Sequence, residues 1–141
     1  MIKQITVTLP NKPGKLSEIS DLMGSEGLNI RAILVDHHND ISILRYIVED
    51  PEKAGNLLRS RSYDFQIDEV LAVEVPDHPG GLGAVLRPLR EHNINVDYMY
   101  PAIGRYGLNA ILIMGVSNKE EAIKVLKQSY IQLLKEEVYK L

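Results

Sequence analysis

The sequence predicts an α+β fold in which one unit, strand–helix–strand–strand–helix–strand, occurs twice, over residues 1–68 and 69–141. Three observations predict it. Proline and glycine recur at fixed offsets in the two halves. Apolar residues alternate at period two and then switch to helical spacing. Almost no linker separates the halves.

The repeat centres on "TLPNKPGKLSEI" and "EVPDHPGGLGAV". Aligning Asn11 with Asp77, a shift of 66, places Pro10 on Pro76, Pro13 on Pro79, Gly14 on Gly80 and Leu16 on Leu82. The same shift pairs Asn29 with Asn95. Further on the shift is 68, pairing Leu44 with Leu112 and Ala54 with Ala122, as two extra residues in "PAIGRYG" require. Apolar matches alone are cheap. Proline and glycine matches report backbone geometry and therefore duplication.

Each element then has a reason. Ile5, Val7 and Leu9 alternate on one strand face, as do Leu71, Val73 and Val75. The first helix carries Leu16, Ile19, Leu22 and Met23 as one stripe and ends around residues 24–27, where glycines cluster. Its counterpart carries Leu82, Val85, Leu86 and Leu89, and contains Pro88, which is expected to kink or shorten it. Second strands follow in "LNIRAILV" and "INVDYMY", third strands in "ISILRYIV" and "NAILIMGV". Asp50 before Pro51, and Asn118 with Glu121, announce the second helices. "YDFQI" runs into "EVLAVEV", so the halves are held side by side. The order is ferredoxin-like: antiparallel strands with both helices of a unit on one face. An eight-stranded continuous sheet, or two abutted sheets, is expected, with four helices on one side.

Composition narrows the function. Of 141 residues, 25% are charged and 45% hydrophobic, and a formal net charge of −3 gives no electrostatic reason for nucleic acid or an anionic membrane. With no cysteine there are no disulfides, thiolate metal sites or thiol nucleophiles, which fits the cytoplasm. No apolar run approaches membrane-spanning length, and "MIKQITVTLP" lacks the apolar stretch of a signal peptide. No cofactor is expected. His37, His38, His78 and His92 form no metal-ligand pattern, and the serines lack a nucleophile-elbow context. "PGGLG" lacks the third glycine and parallel setting of a dinucleotide loop. Tyr98, Tyr100 and Tyr106 are expected to pack in a core or interface.

The repeated turn carries the chemistry. Gly14 and Gly80 allow positive φ or close backbone approach just before a helix whose first N–H groups are free to meet an anion. Asn11 or Asp77 beside it serves as a cap or accepts from an ammonium. Donors for a carboxylate next to an oxygen for an amine complement a free α-amino acid. Capping and turn shape alone are the competing reading.

These residues resemble a known family. "LPNKPGKLSEISDLMGSEGLNIRAI" and "VPDHPGGLGAVLRPLREHNINVDYM" are similar to the opening halves of ACT domains, small regulatory modules that bind amino acids, here in tandem. The resemblance implies effector contacts from Asn11, Pro13, Gly14, Leu16 and Asn29 in the first copy, and from Asp77, Pro79, Gly80, Leu82 and Asn95 in the second. In that family the ligand lies between the first loop of one domain and strand two of a neighbouring domain. Leu9 and Val75 stand where some serine-binding members carry a polar residue, which weighs against serine. Asp77 for Asn11, and Tyr98 for Ala32, imply unequal sites.

The expectation is a non-catalytic, amino-acid-binding regulatory protein, homodimeric, with no nucleic-acid or membrane partner. The alternative is a regulatory subunit or scaffold that joins a metabolic enzyme without binding a ligand itself.

Overall fold

The computed structural model describes residues 1–104 and 106–141; Arg105, inside "PAIGRYG", lies outside the described residues. The first copy supplies β1 (Ile2–Pro10), α1 (Lys15–Ser25), β2 (Ile30–His38), β3 (Ile41–Val48) and α2 (Pro51–Ser60). One strand, β4 (Asp64–Val75), crosses to the second copy. Then come α3 (Gly81–Glu91), β5 (Val96–Pro101), β6 (Ala110–Val116), α4 (Lys119–Gln128), the short β7 (Leu133–Leu134) and a 3-10 turn over Glu136–Lys140.

The sheet is antiparallel and seven-stranded, ordered β2-β3-β1-β4-β6-β5, with β7 beside β4. The expected count of eight falls by one because β4 is both the last strand of the first copy and the first strand of the second. Its early residues pair with β1, from Thr8 opposite Asp64 to Ile2 opposite Val70. Its later residues pair with β6, from Leu71 opposite Met114 to Val75 opposite Ala110. Asp68 and Glu69, on either side of the expected boundary, lie within this unbroken strand.

All four helices cover one face. Ile5, Val7 and Leu9 pack with Ile19, Met23 and Leu58 beneath α1 and α2. Leu71, Val73 and Val75 pack with Val85, Leu89 and Leu126 beneath α3 and α4. Phe65 also sits beneath the first copy's helices, so odd-numbered residues of β4 serve both helical layers. Period-two alternation then sends even-numbered residues to the opposite face.

That opposite face is not left to solvent. Ile2, Ala32 and Ile47 of the first copy form a third core with Tyr100, Ile111 and Ile113 of the second. For this to happen the sheet must curl until its terminal strands meet. They do: Ala32 bridges Ala102, and the Ile103 N–H donates to the Arg31 carbonyl at 2.7 Å. The C-terminal segment closes one end, with Leu134 and Val138 in the same core. The Lys3 N–H donates to the Tyr139 hydroxyl at 2.8 Å. Arg31 donates to the Tyr139 carbonyl at 3.0 Å and to the Leu141 carbonyl.

The helix ends repeat one device. Gly27 (φ 69°), Ser62 (φ 59°), Asn93 (φ 56°) and Tyr130 (φ 61°) each take the left-handed conformation just after a helix. The next N–H reaches back each time, Leu28 to the Met23 carbonyl, Tyr63 to Leu58, Ile94 to Leu89 and Ile131 to Leu126. This is the Schellman closure. The N-caps of α2 and α4 follow expectation: Asp50 accepts from the Lys53 N–H at 3.1 Å and Asn118 from the Glu121 N–H at 3.2 Å. Pro88 does not shorten its helix, since α3 has the same 11 residues as α1. Burial of Val85 and Leu89 outweighs the one hydrogen bond that proline forfeits.

Candidate functional site

The two turns have the backbone that the sequence requires. Gly14 and Gly80 each stand at φ 87° as N-caps of α1 and α3, and among the described residues no side chain caps either helix. A Cβ built on either glycine meets nothing within 4 Å, so conformation, not crowding, demands glycine here. Pro13 and Pro79 beside them are exposed.

Asn11 does not cap α1. Its N–H donates to the Asp40 carbonyl at 2.8 Å and its amide nitrogen to the Asn39 carbonyl at 3.3 Å, tying the turn to the β2–β3 hairpin. Asp77 is exposed. Leu16 and Leu82, expected on the buried stripes, are 39% and 41% exposed. The stripes begin one turn later, at Ile19 and Val85, because each leucine belongs to the first helical turn and overhangs the end of the sheet.

Asn29 and Asn95 hold the other end of each unit. The Asn29 carbonyl accepts from the Glu49 N–H at 3.0 Å, and the Asn95 carbonyl from the Ser117 N–H at 3.0 Å. The Asn95 amide also donates to Asp97 at 2.7 Å. Turn and asparagine of one copy therefore sit at opposite ends of an 11-residue helix, about 16 Å apart at 1.5 Å per residue. The two turns are further apart still. One lies beside the start of the 12-residue β4 and the other directly follows its end, a span of about 40 Å. Within one copy, turn and asparagine therefore do not share a pocket.

A different polar group does converge, on the concave face between the copies. Gln4 is fully buried, and its amide donates to Tyr98 Oη at 3.0 Å and Thr6 Oγ1 at 3.1 Å. Thr6 donates to Asp68 at 2.7 Å. Arg45 lies over the Tyr98 ring, 4.3 Å from its centre. Burial raises the Tyr98 pKa, partly offset by the hydrogen bond from Gln4, so the phenol stays protonated at neutral pH. Two sequence signals pointed here: a glutamine at an alternating strand position, and Gly115 inside a strand. A Cβ on Gly115 would come within 2.4 Å of the Tyr98 ring, so glycine is what admits that ring.

The histidines are exposed. His37 Nδ1 lies 2.9 Å from Ser42 Oγ, and His38 Nε2 lies 3.3 Å from Asp36. Among the described residues no group of histidine and acidic side chains is placed to hold a metal ion, and no helix is long and apolar enough to cross a membrane. Of the three tyrosines expected to pack, Tyr100 is 2% exposed and Tyr98 half-buried, while Tyr106 stays 43% exposed on the loop.

The family signature described as an ACT domain pair matches residues 1–140. The chain belongs to this family. Its ACT pair is similar to the protein BT0572 from Bacteroides thetaiotaomicron, at 33% identity over 99% of this chain and 96% of that one, with a TM-score of 0.92. It also shares its fold with the ligand-free regulatory subunit of aspartate kinase from Thermus thermophilus (13% identity, 91% of each chain, TM-score 0.65). The same holds for the aspartokinase alpha and beta subunits (19% identity, 91% of each chain, TM-score 0.62). No curated protein matches the sequence.

Proposed function

We propose that this ACT pair is a regulatory protein without catalytic chemistry of its own, which binds a free amino acid at its turns between chains. The observation that carries the reading is the repeated Gly14 and Gly80 conformation, φ 87° in both, at helix starts that no side chain caps. Donors left open at the first turn favour a carboxylate. The turns are half-sites. Because Asn29 and Asn95 lie a helix length away in their own copies, a neighbouring module must bring its asparagine to complete each one, and in this reading that neighbour belongs to a second chain. Ligand binding and self-association are then linked: an amino acid that bridges two chains favours the dimer by its differential affinity. An enzyme that reads this change is the further partner the reading calls for.

The test is calorimetry with individual L-amino acids combined with sedimentation at matched concentrations. One amino acid should bind, and the same amino acid should shift the monomer–dimer balance. Binding with no dependence on chain concentration, or no binding at all, removes the reading.

A further inference from the structure

The two ends of the interior between the copies are built from equivalent strands but differ in chemistry. Gln4, Thr6 and Arg45 correspond through the duplication to Val70, Ala72 and Ile113. Those three are at most 1% exposed and belong to the apolar third core. The fold therefore accepts apolar residues at these places; Gln4 is used to tie the copies together through Tyr98 and Tyr100, whereas Thr6 and Arg45 also face open space. Thr6 and Arg45 line an open cavity of about 250 Å³ together with Asp68, Tyr98 and Gly115.

Among the described residues five charged side chains line it, Arg45 and Lys119 against Asp68, Glu69 and Asp97, and of these Arg45 and Asp68 are held in place without pairing with each other. The Arg45 guanidinium, with 18% of its side chain exposed, is stacked on Tyr98, and among the described residues its ionic neighbour is Asp36, loosely placed at 3.9 Å. Asp68 accepts from the neutral donors Thr6, at 2.7 Å, and Gln66, at 3.1 Å. Among the described residues no ion pair joins Arg45 to Asp68, and none reaches Lys119. A guanidinium presents parallel N–H groups to a carboxylate, and a carboxylate held by neutral donors keeps acceptor capacity for an ammonium. The Tyr98 ring, seated on Gly115, forms an apolar wall beside both.

We infer that this cavity between the two copies binds a small zwitterion, its carboxylate at Arg45 and its ammonium at Asp68. The site is complete within one chain and separate from the turns. At about 250 Å³ the cavity has room for a molecule the size of a free amino acid.

Calorimetry of the full chain with each common L-amino acid tests this, repeated on Arg45→Gln, Asp68→Asn, Gly14→Val and Gly80→Val. For the amino acid that binds, Arg45→Gln and Asp68→Asn should each weaken affinity by about tenfold or more, with the urea midpoint of the free protein retained. In the unaltered protein, NMR should show the Arg45 Nε and Tyr98 ring signals moving on titration, which keeps the test sharp if a variant folds poorly. Affinity lost in the glycine variants alone, with those signals unmoved, overturns the cavity and leaves the turn reading standing. Affinity lost in the Arg45 and Asp68 variants alone does the reverse. Absence of any binding overturns both.

Discussion

The Tyr100 hydroxyl donates a 2.6 Å hydrogen bond to Gln4 Oε1, joining β5 of the second copy to β1 of the first across the interior. Tyr100 is 2% exposed and Gln4 is fully buried. Tyr100→Phe strands the glutamine oxygen where water does not reach, so a loss of about 1–3 kcal/mol is expected. Urea unfolding measures it. Combining Tyr100→Phe with Gln4→Met removes both partners and should cost less than the two single changes added together.

The same tyrosine sets an alkaline limit. Burial raises the Tyr100 pKa well above its ordinary value, and burial likewise raises that of Tyr46. In the unfolded chain these phenols ionise near pH 10, while in the folded chain they stay neutral. Above that pH the unfolded state holds fewer protons, so stability falls as pH rises. Chemical denaturation at increasing pH should show this decline beginning around pH 10, and Tyr100→Phe should make it shallower.

Gly115→Ala tests the seat of Tyr98. The added Cβ would lie 2.4 Å from the ring, and ring or strand must move, at a cost of about 1–3 kcal/mol. The penalty should shrink in a Tyr98→Ala background, where the ring is gone. Equal penalties in both backgrounds, read from urea midpoints, would show that the ring is not what excludes the methyl group.

Tyr130 is 97% exposed and stands at φ 61° after α4. A tyrosine gains nothing there and carries the strain of a left-handed backbone. Tyr130→Gly is expected to stabilise the protein by about 1 kcal/mol, visible as a raised Tm in calorimetry.

Gly14→Ala and Gly80→Ala should each cost about 1 kcal/mol, from φ alone, because the new methyl group meets open space. Under the proposed function, Gly14→Val and Gly80→Val impair amino-acid binding more than folding. Comparing the calorimetric affinity of each valine variant with its urea midpoint decides this.

How much of this was legible depended on how local the physics was. The turns at Gly14 and Gly80, the caps at Asp50 and Asn118, and the helix end near Gly27 follow from residues within a few positions, and the structure reproduces them. The curl of the sheet is set by contacts between residues such as Gln4 and Tyr100, 96 positions apart, and no local rule reports them. A trace was present nonetheless. Tyr46, Ile47 and Val48, and Val70 through Val73, are continuous buried runs, and such runs mark strands covered on both faces. Leu16 and Leu82 show the opposite limit: helical spacing gives a stripe, but where the sheet beneath it ends depends on tertiary structure.

Because β4 belongs to both copies, neither can be cut out and kept whole. Separating the halves at Asp68 severs a ladder that pairs Ile2–Thr8 on one stretch and Ala110–Met114 on the next. The strand acts as a single beam with a Pro-Gly turn near each end. One unbroken run of backbone therefore separates the two turns, and among the described residues no loop hinge lies between the copies.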